Sequence, residues 1–334
     1  MESICLIVPK KKAEPVRRKL MEKGMLRRDL QIRSDQKSVF LPITQRVDMG
    51  YPIELGEFKE VEKDITDYRL LVDVPEEVRP LLPSSFDVIG SIAVVKMADE
   101  VVKYASEIGK AIIATQKSIR TVCADSGVTD QYRTRDIRVV AGEKVTETVH
   151  KEYGMTLVID IAKVFFSPRL ATEREYVSKE VGQGETVIDM FAGVGPFSIL
   201  IAKTRAPKVV YAIDLNPDAI DYLKRNMLQN KVSNVVPIQG DARTEIARLE
   251  NADRVIMNLP HEAHNYLREA MRALKPGGII HYYEITEESG LAGRLDEFAD
   301  LARSEGRVMR EVARRKVKSY SPTMNFYSLE LQFL

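Results

Sequence analysis

The sequence predicts an α/β protein whose C-terminal part, residues 165–334, forms a doubly wound, mainly parallel sheet. Strand-like and helix-like segments alternate there with short links, as in Val209–Ile213 followed by Pro217–Asn230. The stretch Thr186–Phe197, TVIDMFAGVGPF, joins a β-branched strand end to a glycine loop and to a proline suited to the first turn of a helix. Asp214 ends the next strand, where an acidic residue suits the two hydroxyls of a ribose.

Length, net charge and cysteine content limit the classes of protein to which this chain can belong. A chain of 334 residues is long enough for two or three domains. The net charge is +1, from 50 basic and 49 acidic residues, so any surface for a polyanion must come from local clustering. The two cysteines, Cys5 and Cys123, exclude a disulfide framework and a cysteine-rich zinc site. The sequence shows no signal peptide and no apolar run of transmembrane length, so we expect a cytoplasmic protein without a membrane partner.

Residues 1–62 are predicted to form a small α+β domain. Ser3–Val8 and Val39–Ile43 have the composition of strands, and Lys10–Gly24 that of a helix which we expect to begin properly only at Pro15. Six basic residues crowd together here, and they could form either a solvated helix face or a contact with a phosphate backbone. They are Lys10, Lys11, Lys12, Arg17, Arg18 and Lys19.

Residues 68–161 are predicted to form a second, α+β domain after a charged linker at Glu57–Asp67. Apolar residues recur at helical spacing in Asp99–Gln116. The stretch Gln131–Val140 is polar and carries three arginines, which is typical of an edge strand with exposed charges. The remaining strands are expected at Leu70–Val74, Val88–Lys96, Ile119–Cys123 and Met155–Ile161.

The C-terminal alternation continues beyond the second strand of the predicted sheet. Its further segments are Val235–Gln239, Asp253–Asn258, Glu262–Leu274, Gly278–Ile285 and Leu291–Arg303. The tail differs, because Val308–Val317 and Asn325–Phe333 are both extended and are joined by Lys318–Met324. A hairpin closing the sheet is expected there.

The glycine loop is expected to bind a nucleoside-containing cofactor. The sequence around the loop favours one class of such cofactors over another. A dinucleotide fingerprint needs G-x-G-x-x-G/A, and Ser198 is a poor substitute at the third small position. The string D-x-F-A-G-x-G-P-F, from Asp189 to Phe197, instead resembles the first motif of class I (Rossmann-like) S-adenosylmethionine methyltransferases. That cofactor carries an amino-acid group rather than a pyrophosphate, so an acid at the first strand end is tolerated. The alternative is an ordinary β–α turn that needs its glycines for geometry alone.

Ligands of such sheets bind at the carboxyl ends of the strands, so the residues there are the predicted cofactor contacts. Asp214 would take the ribose hydroxyls, and Asp241 would accept from the adenine amino group. Either aspartate could instead be a helix N-cap. The cofactor contacts predicted at the strand ends are Asp189, Phe191, Ala192, Gly193, Val194, Gly195, Asp214, Leu215, Asn216, Gly240, Asp241, Ala242 and Asn258.

Asn258-Leu259-Pro260 follows the fourth strand of the predicted sheet. A side-chain amide held by a rigid proline can hydrogen-bond a planar N–C=O or N–C–N edge. The tripeptide resembles the N-P-P-Y-type motif of enzymes that methylate nitrogen on nucleobases. It could also be a helix entry after a buried strand.

Arg169 and Glu173 lie four residues apart after Pro168, which suits a helix start. They could form a local salt bridge. A functional interpretation uses them separately, because guanine N1 must lose a proton as a methyl group arrives. A carboxylate within reach can take that proton, and a guanidinium can stabilise the charge that builds on O6.

Taken together, the motifs resemble those of the archaeal/eukaryal-type tRNA (guanine-37-N1)-methyltransferases. They are VIDMFAGVGPFSI, AIDLNP, VIMNLP, DIAKVFFSPRLATER, KPGGIIHYYE and KSYSP. The resemblance implies S-adenosylmethionine as cofactor, Glu173 as general base and Arg133 as the O6 ligand. It further implies that Asn258 and Pro260 contact the target base, while Phe165 and Arg169 lie beside the cofactor and the flipped base.

The resemblance also implies tRNA as the partner of a monomeric enzyme. Residues 1–62 would dock on the outer corner of the tRNA, and the other two domains would grip the anticodon stem-loop. Some archaeal members also methylate carbon 7 of 4-demethylwyosine at the same position, and the length and motif positions fit that subgroup.

Three alternatives remain open at this point. They are methylation of another base nitrogen in rRNA or tRNA, a nicotinamide-dependent dehydrogenase, and a non-catalytic tRNA-binding protein. Ser198 and the Asn258 motif argue against the second, and the intact Glu173, Arg133 and Asn258 argue against the third. We predict no metal site, because His261 and His264 lack a third ligand at compatible spacing.

Overall fold

The computed structural model describes residues 1–61, 66–129, 132 and 134–334. The chain divides into two compact units, Met1–Thr66 and Asp67–Leu334. Among the described residues, no helix combines the length and the apolar character needed to cross a bilayer.

The first unit is an antiparallel sheet covered by one helix. Its elements are β1 (Glu2–Pro9), α1 (Lys10–Glu22), β2 (Arg33–Ser34), β3 (Ser38–Pro42) and β4 (Ile53–Glu57). The strand order is β2-β3-β1-β4, and α1 buries Ala13, Val16 and Leu20. The expected helix start at Pro15 was wrong, because α1 already begins at Lys10. Pro15 is tolerated because the carbonyl it would have bonded belongs to the exposed Lys11.

The second unit begins with two short 3-10 helices, Tyr68–Leu70 and Arg79–Leu81, so the strand expected at Leu70–Val74 was wrong. A four-stranded sheet in the order β5-β6-β7-β8 follows. The elements are β5 (Asp87–Ile89), β6 (Ile92–Val95), α2 (Asp99–Val102), α3 (Ala105–Thr115), β7 (Thr121–Thr129) and β8 (Thr134–Gly142). The single helix expected over Asp99–Gln116 is broken into two between Val102 and Ala105. A hairpin follows, made of β9 (Glu147–Glu152) and β10 (Met155–Asp160).

A short 3-10 helix, Pro168–Leu170, leads into the C-terminal part of the same unit. The elements there are α4 (Ala171–Glu180), β11 (Thr186–Asp189), α5 (Pro196–Arg205), β12 (Val209–Asp214), α6 (Pro217–Asn230), β13 (Val235–Gln239), α7 (Ala242–Ile246), β14 (Ala252–Met257), α8 (Leu267–Ala273), β15 (Leu274–Thr286), α9 (Gly290–Ser304), β16 (Met309–Ser319) and β17 (Asn325–Phe333).

These strands form one mixed sheet in the order β13-β12-β11-β14-β15-β17-β16. The first five in that order are parallel, and β17 and β16 are antiparallel additions. The predicted α/β class and the closing hairpin are therefore confirmed. Helices α4, α5 and α6 cover one face, and α7, α8 and α9 cover the other. The carboxyl ends of β11, β12, β13 and β14 thus meet along one edge.

The hairpin β9–β10 is fixed to α6 by two asparagines. Asn226 accepts from the N–H of Val158 at 2.7 Å and donates to its carbonyl at 3.1 Å. Asn230 does the same with Thr156, at 2.9 and 2.7 Å. The two amides therefore act as an extra strand partner for β10, which ties this hairpin to the helix layer of the seven-stranded sheet.

Candidate active site

The glycine loop between β11 and α5 uses two left-handed glycines. Gly193 has φ 55° and Gly195 has φ 83°, a region that strongly favours glycine. A Cβ on Gly195 would overlap Leu223 Cδ1, whereas one on Gly193 would have 3.7 Å to the nearest atom, Phe165 O. Ala192 and Val194 point into the core, so both can offer a ligand only their backbone.

Asp189, at the end of β11, is completely buried. Its Oδ2 accepts from the Ser198 hydroxyl at 2.7 Å, and its Oδ1 has no hydrogen-bond partner among the described residues. Burial, with the nearby charge of Asp214, raises the pKa of Asp189 to about 7. A buried carboxylate oxygen without a partner is suited to receive a cationic donor.

Asp214 ends β12 and is held by the glycine loop itself. Its Oδ2 accepts from the Gly193 N–H at 2.6 Å, and its Oδ1 accepts from the Asn216 N–H at 2.9 Å. Burial raises the pKa of Asp214, and these two N–H donors partly oppose the rise. Each oxygen keeps a second lone pair for a hydroxyl donor. Leu215, the next residue, exposes 37% of its surface.

Asn216, predicted as a cofactor contact, has both ends of its side-chain amide occupied by the protein. Its Oδ1 caps α6 by accepting from the Asp218 N–H at 2.9 Å, and its Nδ2 donates to the Lys163 carbonyl at 2.8 Å. Any contact with a ligand would therefore use its backbone.

The end of β13 carries the third predicted acid. Asp241 accepts from the Arg243 N–H at 2.8 Å and caps α7, so the N-cap alternative describes its bonding in this structure. The Gly240 N–H donates to the Asp214 carbonyl at 3.0 Å, which keeps the two strand ends adjacent. Ala242 is buried, and Phe191 packs edge-on against Tyr266 with ring centroids 5.2 Å apart.

Asn258 directly follows β14 and is partly exposed. Its amide makes no hydrogen bond to the residues that the structure describes. The carbonyl of Pro260 accepts from the Ile285 N–H at 3.1 Å, so the loop is fixed to β15 while the amide stays available. His261 lies beyond it, its ring 6.0 Å from that of Tyr320.

Glu173, on the first turn of α4, is 4% exposed and accepts four hydrogen bonds. Arg315 donates to Oε2 at 2.6 Å and to Oε1 at 2.9 Å. Tyr283 and Ser328 donate to Oε1 at 2.8 and 3.1 Å. Burial and this contact raise the pKa of Tyr283 well above its usual value. Arg169 is not the partner of Glu173, so the local salt bridge does not form.

Arg169 instead bonds Asp87 of β5, at 2.5 Å. Phe165, 38% exposed, lies with its ring centroid 5.3 Å from the guanidinium of Arg135, which also bonds Asp125 at 2.6 Å. Arg133 lies outside the described residues. The structure thus brings the segment around Phe165 together with β5 and β8.

Sequence reasoning missed several residues of this region. The three partners of Glu173 are Tyr283 on β15, Arg315 on β16 and Ser328 on β17. No local sequence motif indicates these positions. Arg135 could have been found, because it stands two residues after Arg133 on the same strand pattern. His281 is buried beside Arg254, and burial lowers its pKa to about 3. No group of three or more metal-ligating side chains occurs in the described ranges.

Three family models match the chain. They are the TRM5/TYW2 methyltransferase domain over residues 148–307, the TYW2 N-terminal domain over residues 68–146, and the tRNA methyltransferase 5 N-terminal domain over residues 5–50.

Similarity to individual proteins extends from end to end. A tRNA (guanine(37)-N(1))-methyltransferase Trm5b of Pyrococcus abyssi is 42% identical over 99% of this chain and 98% of its own. The crystal structure of Trm5b from that organism matches with a TM-score of 0.81, at 41% identity over 99% of both chains. A complex of aTrm5 with tRNALeu matches with a TM-score of 0.74, at 34% identity over 98% of this chain and 99% of the other.

Two further matches cover less of this chain. The structure of Methanocaldococcus jannaschii TYW2 in complex with AdoMet has a TM-score of 0.59, at 30% identity over 75% of this chain and 99% of the other. A tRNA 4-demethylwyosine(37)-methyltransferase Taw21 of Saccharolobus solfataricus is 40% identical over 60% of this chain and 78% of its own.

Proposed function

This chain belongs to the TRM5/TYW2 methyltransferase family, and we propose that it transfers a methyl group from S-adenosylmethionine to N1 of guanosine 37 in tRNA. The observation that carries the proposal is the match to Trm5b, which covers 99% of this chain and 98% of the relative. The site agrees with it, because a glycine loop, two buried acids and a free amide share one edge of the sheet.

The residues present fit S-adenosylmethionine. Asp214 has lone pairs for the ribose hydroxyls, and the exposed Leu215 beside it offers an apolar surface for adenine. The unpartnered Oδ1 of Asp189 suits the ammonium of the amino-acid group. Asp241 and the backbone of Gly193 complete the binding edge in this proposal. When bound, the cofactor supplies the methyl group.

The protein's own task is to hold guanine and to take its proton. Asn258 can donate to and accept from the base edge, with Pro260 fixing the loop. As guanine N1 forms its bond to carbon, its proton passes to the Glu173 carboxylate. Arg133, which the sequence resemblance assigns to O6, would stabilise the charge that develops there.

The bonding of Glu173 favours one of its two oxygens as the proton acceptor. Each carboxylate oxygen has about two lone-pair sites. Oε1 accepts from three donors, Arg315, Tyr283 and Ser328, whereas Oε2 accepts from Arg315 alone among the described residues. Oε2 therefore keeps a lone-pair site for the proton of guanine N1, while the Arg315 pair stays intact.

The partner in the proposal is the anticodon stem-loop of tRNA, together with its outer corner. The match to a Trm5–tRNA complex supports it. The exposed Lys10, Lys11 and Lys12 of α1 provide a basic surface on the first unit. The division into domains 1–62, 68–161 and 165–334, the monomeric state and the cytoplasmic location stay predictions.

A second activity, methylation of carbon 7 of 4-demethylwyosine at position 37, is supported by the similarity to Taw21. Incubating the enzyme with tRNA that carries 4-demethylwyosine tests it, because absence of methyl transfer to that base would remove the activity.

The main proposal is tested with two unmodified transcripts of one tRNA, carrying guanosine or adenosine at position 37. Each is incubated with radiolabelled S-adenosylmethionine, and the product nucleoside is mapped. Label in 1-methylguanosine from the first transcript alone is the expected result. Label elsewhere, or none, would overturn the substrate assignment while leaving the fold and family unchanged.

A further inference from the structure

A β-bulge near the end of β16 determines on which face of the sheet the side chain of Lys318 lies. Arg315 pairs with Ser328 and Lys316 with Tyr327, but Lys318 pairs with Phe326, because the register shifts between Lys316 and Lys318. In an unbroken ladder Lys318 would share a face with Lys316, on the opposite side from Arg315. The extra residue turns Lys318 to the face that carries the Arg315–Glu173 pair. Bulges beside active sites commonly redirect a side chain in this way.

The redirected ammonium is half-buried and has no carboxylate within ion-pair distance in the described ranges. Its Nζ lies over the ring of Phe326, 5.6 Å from the ring centroid. Burial lowers the pKa of Lys318, Arg169 and Arg135 lower it further, and Asp87 acts in the opposite direction. An anion placed there would relieve both the desolvation and the repulsion.

The charges around Lys318 leave room for one negative charge. Arg135 bonds Asp125 at 2.6 Å and lies 3.7 Å from Asp87, which Arg169 bonds at 2.5 Å. Among the described residues, these three cations and two carboxylates give an excess of one positive charge. A phosphodiester carries one negative charge, and an ammonium binds it as a point charge without demanding a planar partner.

We propose that Lys318 binds the backbone phosphate on the 5′ side of the target nucleotide. This proposal rests on the proposed function. A base taken from its stack into the pocket of Glu173 and Asn258 brings its own phosphate with it. Lys318 lies on the same face of β16 as Arg315, three residues along the strand, so the phosphate would lie beside the base pocket rather than at a distant docking surface.

The test uses tRNA in which only that phosphate is replaced by a neutral methylphosphonate. Dissociation constants are measured with S-adenosylhomocysteine present, for the wild type, Lys318→Ala and the control Lys316→Ala, whose side chain is exposed on the other face. Lys318→Ala should bind native tRNA about tenfold more weakly than the wild type does. The slope of its log affinity against log salt concentration should be smaller in magnitude by about one. Lys316→Ala should bind within about twofold of the wild type.

Binding of the methylphosphonate tRNA tests whether Lys318 contacts this particular phosphate. The wild type should bind the methylphosphonate tRNA about tenfold more weakly than native tRNA. Lys318→Ala should bind the two tRNAs with equal affinity, because it already lacks the contact. Equal losses in both proteins would overturn the proposal, as would wild-type affinity in Lys318→Ala. Unchanged calorimetric binding of S-adenosylmethionine shows that the variant is folded, and Lys318→Gln replaces it if it is not. Methylation of guanosine 37 by the wild type separates failure of this contact from failure of the proposed function.

Discussion

Arg315 and Glu173 form a bidentate ion pair, with N–O distances of 2.6 and 2.9 Å, across 142 residues of sequence. The guanidinium of Arg315 also lies over the ring of Tyr176, with Cζ 3.4 Å from the ring centroid. The closing hairpin β16–β17 therefore contributes to the site as well as to the sheet. It supplies Arg315 and Ser328 to the buried carboxylate and Lys318 to the neighbouring basic cluster.

Glu173→Gln should lower single-turnover methylation by about 10²- to 10⁴-fold, because an amide cannot take the guanine N1 proton. The variant keeps the shape of the side chain, so affinities for S-adenosylmethionine and tRNA should stay near normal. Quench-flow kinetics with excess enzyme measures the step directly. Glu175→Gln is the matched control, since Glu175 lies on the same helix and forms an ion pair at the surface with the exposed Lys179. Unchanged turnover in Glu173→Gln would show that Glu173 is not the base.

Arg315→Lys should reduce kcat about tenfold while leaving KM for tRNA within about twofold. Lysine keeps the charge but cannot donate two parallel bonds, so the carboxylate loses its fixed orientation. Arg314→Lys is the control, because the exposed Arg314, among the described residues, pairs with Glu311 of the same strand and not with Glu173. A faster Arg315→Lys enzyme would mean that Arg315 competes with guanine for Glu173 instead of positioning it.

The sequence was most informative where the periodic pattern was strong. Alternating segments predicted the order of the catalytic elements, and the extended tail predicted the hairpin of β16 and β17. The short strand β2 escaped, because two residues carry no period. The single strand expected at Val88–Lys96 is divided into β5 and β6 by a turn at Gly90. The break between α2 and α3 also escaped, since apolar spacing continues across Lys103 and Tyr104.

The site was predictable at strand ends and unpredictable across the sheet. Asp189, Asp214 and Asn258 follow from the rule that ligands bind at carboxyl ends. Ser198 was treated only as a misfit to a dinucleotide fingerprint, whereas its hydroxyl bonds the buried Asp189. The partners of Glu173 could not be found, because the register of β16 depends on bulges that no residue spacing announces.

Gly195→Ala should destabilise the fold more than Gly193→Ala. Both substitutions place a side chain at positive φ, which costs about 1 kcal/mol each. At Gly195 the new Cβ also overlaps Leu223, while at Gly193 it has ordinary space. Thermal melting of the two variants without cofactor measures the difference, and we expect a gap of about 1–3 kcal/mol. Equal melting temperatures would show that α6 moves to accommodate the methyl group.

Asp189 should make the free energy of unfolding fall as the pH rises from about 4 to about 7. Its pKa is raised from 3.8 to about 7, so the native state holds this proton through a range in which the unfolded state has lost it. Stability therefore declines as the pH rises through that window, by up to about 4 kcal/mol at about 1.4 kcal/mol per pKa unit.

Asp189→Asn should remove that slope, because an amide does not titrate. Urea unfolding of the wild type and the variant at several pH values between 4 and 7.5 measures the difference, in which the contributions of groups that do not interact with Asp189 cancel. Asp221→Asn, at an exposed position on α6, should follow the wild type. The binding of S-adenosylmethionine should also strengthen above pH 7 in the wild type, since its ammonium favours the ionised carboxylate. Methylthioadenosine, which lacks the amino-acid group, should show no such change, and parallel pH curves for the two ligands would place the ammonium elsewhere.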